Sequence, residues 1–376
     1  MTKILIPIET ASGERRVSAT PAAVKKLKGL GCEVFVESSA GELSGFNDTL
    51  YKESGGEIVS KSNINIWENA DVVFCVQPPS ESNLSKLKKG AILLGLLNPY
   101  ANKKLQNIII SKKISALSME LLPRISRAQS SDVLSSQANI AGYKAVLLAA
   151  SELDRYFPML MTAAGTVQPA KVVVLGGGVA GLQAVATAKR LGAIVFVSDI
   201  RPAVKEQVES LGARFIELPE IDEKPGESGG YAKAVTPEFL SKQKATLTKY
   251  LSEADVAVCT AQVLGKKAPV LIDSHMIEKM RSGAVVIDLA VSQGGNCEGT
   301  KSNETIISNG VKLIGAGELP SSVPYDASTL YAKNLTSLIT PFIKDGVINL
   351  DIEDELISGC LLSDEGVILQ NKVFEK

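Results

Sequence analysis

"AKVVVLGGGVAGLQAVATAKRLG", residues 170–192, is the stretch that decides the fold. A short apolar strand, "KVVVL", runs into three consecutive glycines, and a helix, "LQAVATAKRLG", runs out of them. Gly176, Gly177, Gly178, Val179, Ala180 and Gly181 satisfy the pattern G-x-G-x-x-G. Alone that match is weak, but a strand before it and a helix after it are what its mechanism requires. Gly176 permits the tight turn, Gly178 lets a pyrophosphate approach the backbone, and Gly181 lets the helix pack on the strand. The helix N-terminus then faces the ligand's negative charge.

Working outward, the next strand, "VFVSD", ends in Asp199, 18 positions beyond Gly181. A carboxylate there accepts ribose hydroxyls and repels a 2′-phosphate, which favours NAD over NADP. Arg201 complicates this preference, because a nearby guanidinium can accommodate that phosphate. "ARFIEL", "ADVAVCTA", "AVVIDLAV" and "VKLIGAG" follow, with helical patterns between them. With the first two strands they make six apolar segments, the count of a Rossmann unit. A glycine turn of this kind kept for packing alone is the plainer reading, and the full strand–helix–strand context argues against it. Residues 219–239, "PEIDEKPGESGGYAKAVTPEF", interrupt the rhythm, and so long a loop in a compact domain is usually functional or mobile.

The first third of the chain shows the same alternation. "KILIPI", "CEVFVES", "ADVVFCVQP", "AILLGLLNP" and "ISALSMEL" read as strands, and "TPAAVKKLKGLG" and "NKKLQNIIISKK" as helices. Thr20 is the expected N-cap of the first helix, Pro21 its first residue and Gly31 its stop. A long helix from about Val133 to Phe157, rich in small residues such as Ala138, Gly142 and Ala149, suits a connector between domains. "STLYAKNLTSLITPFIKDG" is expected to be helical and to return to the first domain, and "SGCLLSDEGVILQNK" to form a surface hairpin. The fold class is therefore α/β: two doubly wound parallel-sheet domains, the second a Rossmann dinucleotide-binding domain. The expected division is 1–134, completed by 327–376, and 135–326.

A length of 376 residues exceeds what one core usually serves, in keeping with two domains. A formal net charge of -1 argues against nucleic acid as the main partner. Five scattered cysteines read as reduced thiols, and a single histidine, His275, excludes a histidine metal cluster. The N-terminus lacks a signal peptide's apolar run, and the tract Val172–Ala188 is broken by glycines, so a soluble chain is expected.

One segment fits neither a core helix nor a solvated one. "RISRAQSSDVLSSQANIAGYKAV", residues 124–146, holds two arginines, then no charge but Asp132 until Lys144. Together with "ERRVSATP", "FPMLMTAAGTVQPAKVVVLGGGVAGLQA", "SDIRPAVKEQVESLGA", "GGYAK" and "VVIDLAVSQGGNCE", it resembles the NAD(H)-binding component, domain I, of the proton-translocating nicotinamide nucleotide transhydrogenases. That family is related to the alanine dehydrogenases, and the resemblance covers nearly the whole chain.

The resemblance implies that Arg124, Gln129 and Asp132, with Ser135 on the following turn, hold the nicotinamide end of NAD(H). A carboxamide has one acceptor and two donor hydrogens, which a guanidinium and a carboxylate can satisfy from opposite sides. The plainer role of Asp132 is helix N-cap, and the two are compatible. Tyr231 in "GGYAK" matches the tyrosine of a loop that closes over nucleotide, or is simply an exposed aromatic. Gly176, Gly178, Val179, Ala180, Gly181, Asp199, Ile200, Arg201, Ala261 and Asp288 are the expected cofactor-binding set. NADP(H) is implied on a partner domain III, with a proton-conducting membrane domain II, a homodimer of this chain, and a place on the cytoplasmic side of the membrane.

An alanine-dehydrogenase-like oxidoreductase is the alternative. Its chemistry needs acid–base groups, for which that family uses a lysine and a histidine in the first domain. Here Cys75 and Asn98 occupy the aligned places, His275 lies in a helical surface segment, and Arg15 or Arg16 remains able to bind a carboxylate. A non-catalytic NAD-sensing module is a third reading, needing the glycine turn but not the Arg-Gln-Asp loop.

Overall fold

The computed structural model describes residues 1–60, 62–63, 65–100, 102–218, 237–263 and 265–370, with the backbone alone at 237–240. Tyr231 lies outside them. The chain forms two compact units, Met1–Gln137 with Pro320–Lys376, and Ala138–Leu319.

In the first unit, strands β1 (Lys3–Ile6), β2 (Glu33–Glu37), β3 (Glu57–Val59), β4 (Val72–Phe74), β5 (Ile92–Gly95) and β6 (Ser115–Ser118) are all parallel. They lie in the order β3-β2-β1-β4-β5-β6. The chain starts at the middle, winds to one edge, returns and winds to the other, so the sheet is doubly wound. Because side chains alternate across a strand, Ile4 and Ile6 enter one core and Leu5 the opposite one. Both faces are covered, which is why these strands are nearly continuous apolar runs.

The second unit opens with a hairpin, β7 (Leu160–Thr162) and β8 (Gly165–Val167), that the sequence pattern does not separate from its surroundings. Its sheet contains β9 (Lys171–Leu175), β10 (Ile194–Ser198), β11 (Arg214–Phe215), β12 (Val256–Cys259), β13 (Val285–Asp288), β14 (Thr305–Ser308) and β15 (Val311–Gly315). The order is β11-β10-β9-β12-β13-β15-β14. Without the antiparallel edge strand β14, this is the same doubly wound order, carried by the six apolar segments read from the sequence. Val172 and Val174 face one core and Val173 and Leu175 the other.

After the second unit the helix Pro324–Ile339 returns to the first, and a small hairpin, β16 (Ile343–Lys344) and β17 (Val347–Ile348), follows. The C-terminal strands β18 (Leu361–Asp364) and β19 (Val367–Ile368) correct one expectation. They form a hairpin, but β18 pairs antiparallel with β6 and extends the first sheet, with Leu361 and Leu362 fully buried. The apolar pair is what admits the tail to the sheet. The long helix spans Val133–Glu152 and ends one turn sooner than expected. Among the described residues no helix is long and apolar enough to cross a membrane.

Candidate functional site

In the second unit β9 delivers the chain to the glycine turn. Gly176 has φ +105°, a left-handed conformation, and a Cβ there would meet the Thr260 hydroxyl at 2.6 Å. A Cβ on Gly181 would stand 1.8 Å from the Gly176 carbonyl oxygen, so helix and strand touch through bare backbone. Around Gly178 the result is opposite: a Cβ would meet no atom within 4 Å. Nothing in the fold requires glycine there for packing, and the open space lies at the N-cap of the helix Val179–Arg190. An anion fits that place, next to N–H groups with no intrahelical acceptor. Val179 is exposed and Ala180 half-buried at the same helix mouth.

Asp199 follows β10. Its Oδ2 accepts from the Gly177 N–H at 2.7 Å, and the Arg201 side chain spans both oxygens at 2.9 Å each. Burial pushes this carboxyl up, but the Arg201 guanidinium and the Arg201 and Gly177 N–H groups outweigh it and hold its pKa below the ordinary carboxylate value. Ile200 between them is exposed.

Asp288, at the end of β13, departs from its expected place. It is fully buried. Its oxygens accept from the backbone N–H groups of Ala290, Asn296 and Cys297 at 2.9, 2.8 and 3.0 Å, and from the Thr300 hydroxyl at 2.9 Å. The carboxylate shapes the loop beyond β13 from inside rather than facing a ligand. Ala261 is similarly committed. Its N–H donates to Asn296 Oδ1 at 3.0 Å, and its carbonyl accepts from Asn296 Nδ2 at 2.9 Å. Asn296 Nδ2 also donates to the Pro269 carbonyl at 2.8 Å. Sequence reasoning missed Asn296, and the only trace of it was the amide inside "GGNC".

In the first unit the Arg-Gln-Asp segment is a short 3-10 helix, Ser126–Ser131, followed by Asp132 and the long helix. Asp132 caps that helix: Oδ1 accepts from the Ser135 N–H at 2.9 Å, and Oδ2 from the Ser135 hydroxyl. The helix Pro324–Ile339 supports the segment from behind. Asn334 Nδ2 donates to the Ser130 carbonyl at 2.8 Å, and the Ser136 hydroxyl donates to Asn334 Oδ1 at 2.7 Å. Arg124 and Gln129 are exposed, and among the described residues their side chains make no hydrogen bond or ion pair. Arg124 therefore does not simply neutralise Asp132. The other arginine, Arg127, pairs with Asp354 at 2.8 Å.

The positions weighed for acid–base chemistry hold none. The Cys75 thiol is fully buried and donates to the Leu94 carbonyl at 3.7 Å, and burial pushes its pKa well up. Asn98 sits at φ +47° with its N–H on Glu120 Oε1 at 2.7 Å. Arg16 is buried and spans both oxygens of Glu14 at 2.7 and 2.6 Å, with its Nη1 donating to Gln137 at 2.9 Å. His275 is exposed on the helix Ser274–Lys279, which Asp273 caps. Among the described residues no group of histidine, cysteine and acidic side chains could hold a metal ion.

Comparison with known proteins places this geometry. Residues 5–141 match the family model "Alanine dehydrogenase/PNT, N-terminal domain", and residues 145–371 match "Alanine dehydrogenase/PNT, C-terminal domain". The chain is 47% identical to an NAD(P) transhydrogenase alpha subunit of Rhodospirillum rubrum, over 98% of this chain and 97% of that one. It is 31% identical to alanine dehydrogenase 2 of Staphylococcus aureus, over 89% and 85%. Among solved structures, the transhydrogenase from Sinorhizobium meliloti superposes with a TM-score of 0.88 at 40% identity, covering 98% of this chain and all of that one.

Proposed function

From the premise that this chain belongs to the alanine dehydrogenase/PNT family, sharing most identity with its transhydrogenase alpha subunits, we propose that it is a transhydrogenase subunit that binds NAD(H) and presents the nicotinamide to NADP(H) held by a partner domain. Proton movement through a membrane domain on another chain is the coupled process, and this chain acts as a homodimer on the cytoplasmic side.

The glycine turn takes the pyrophosphate at the open space beside Gly178, and Asp199 takes the adenosine ribose. Arg124, Gln129, Asp132 and Ser135 are the groups that orient the nicotinamide carboxamide. The unpartnered Arg124 guanidinium and Gln129 amide have donors to give, and Asp132 stays positioned by Ser135. When bound, the dihydronicotinamide ring supplies the hydride. This chain then needs only to hold that ring in place and keep water away, because proximity and orientation are the main demands of such a transfer.

The observation that carries this choice over amino-acid dehydrogenation is Cys75, a thiol sealed within the first sheet where that chemistry would need an amine. Arg16, the buried one of the two arginines considered for a keto acid, is already committed to Glu14.

The test is an assay of NAD-analogue reduction by NADPH, with and without added partner domain. Activity only with the partner supports the proposal. NADH oxidation dependent on pyruvate and ammonia, by the chain alone, would establish the dehydrogenase instead. NADH binding with neither activity would indicate a sensing module.

A further inference from the structure

Asp199 has no vacant acceptor position. Oδ1 takes the backbone N–H of Arg201 at 2.8 Å and its Nε at 2.9 Å, while Oδ2 takes the Gly177 N–H at 2.7 Å and Arg201 Nη2 at 2.9 Å. A carboxylate offers about four such positions, and all are filled. The Asp199 side chain is 6% exposed and that of Arg201 57%, so the guanidinium is the solvent-side cover of the carboxylate.

A ribose diol brings two hydroxyls and needs two of those positions. The Gly177 N–H is fixed by the glycine turn, and the Arg201 N–H by the chain two residues on. Only the guanidinium, on a flexible and exposed stem, can leave.

We propose that Arg201 is a competing occupant of the adenosine-ribose subsite: it must swing off Asp199 before the 2′,3′-diol can bind, and the freed guanidinium then favours a 2′-phosphate. Arg201 thus sets both the affinity of the adenosine end and the margin by which a 2′-hydroxyl is preferred to a 2′-phosphate. This rests on the assignment of NAD(H) to the glycine turn. The next cation along the chain, Lys205, cannot readily take over the second role, since it is paired with Glu217.

The exchange is modest in size, because an exposed ion pair contributes little. In the Arg201→Gln protein, NADH and ADP-ribose should bind about three- to ten-fold more tightly, while 2′-phospho-ADP-ribose binds more weakly by a similar factor. Arg201→Lys retains the charge but cannot span both oxygens. It should keep the 2′-phosphate affinity and gain part of the NADH affinity. Calorimetric titration of the full chain with the three ligands reads all of this.

A loss of packing would move the three ligands together, so opposite movement is the signature. If Arg201→Gln binds NADH no better than the parent, or all ligands shift the same way, Arg201 does not compete. If the parent itself binds no NADH, or Asp199→Ala leaves NADH binding unaltered, the assignment of the nucleotide fails and this proposal with it.

Discussion

Gly142 and Ala180 meet backbone to backbone: a Cβ on Gly142 would lie 2.0 Å from the Ala180 carbonyl oxygen and 2.8 Å from its carbon. The long helix is thereby seated against the first turn of the helix that leaves the glycine turn, and Asn139 Nδ2 adds a hydrogen bond to Gln183 Oε1 at 3.2 Å. Neither backbone can give way as a side chain would. Gly142→Ala should therefore destabilise by about 1–3 kcal/mol, which lowers the thermal midpoint by several degrees. A melting curve within one degree of the parent would show that the helices separate freely.

Asn296 has a comparable place between two loops. Its amide satisfies both backbone groups of Ala261 and the Pro269 carbonyl while fully buried. Asn296→Asp keeps the acceptor but aims a carboxylate at two carbonyl oxygens. The expected loss is about 3 kcal/mol or more, larger than for Asn296→Ala. Urea unfolding of the two variants decides it, and the reverse order of stability would contradict this account.

The proposed division of roles separates binding from transfer. Gln129→Asn and Asp132→Asn should slow hydride transfer on the order of ten-fold or more while changing NADH affinity by less than about three-fold. Asparagine can still cap the long helix, so the fold is spared. Asp199→Ala should do the opposite, weakening NADH with little effect on the transfer step at saturation. Equal losses of NADH affinity in all three would remove the distinction.

Glu9 gives the first unit a pH dependence. Its carboxylate turns inward to the N–H groups of Val76 and Gln77 at 2.6 and 3.1 Å, and burial pushes its pKa up to about 8. Between the ordinary carboxylate value and pH 8 the folded chain holds a proton that the unfolded chain has released. Stability from this group is thus present at low pH and lost as pH rises, at up to about 1.4 kcal/mol per pH unit. Glu9→Gln keeps an acceptor for Val76 and should flatten that decline, with its gain growing from pH 5 to pH 8. Parallel stability–pH curves for parent and variant would mean that Glu9 titrates normally.

Much of the architecture was legible because its causes are local. A parallel strand covered on both faces must be apolar throughout, so the segments of both sheets stand out from the helices between them. The roles of Gly176 and Gly181 follow from atoms only a few residues apart. The hairpin β7–β8 was not legible, since its exposed strands carry no apolar alternation. The tail strand β18 was read as surface because its partner, β6, lies some 250 residues earlier in the chain.

By itself the sequence determined the α/β class, the glycine turn and the family, each of which is written in contiguous residues. The tertiary structure alone decided which polar groups remain free. It turned Asp288 inward, paired Asn296 with Ala261, locked Arg16 to Glu14, left Arg124 and Gln129 without protein partners, and laid Arg201 over Asp199. A side chain's identity states how many hydrogen bonds it can make. Which are already taken depends on neighbours brought together only by folding.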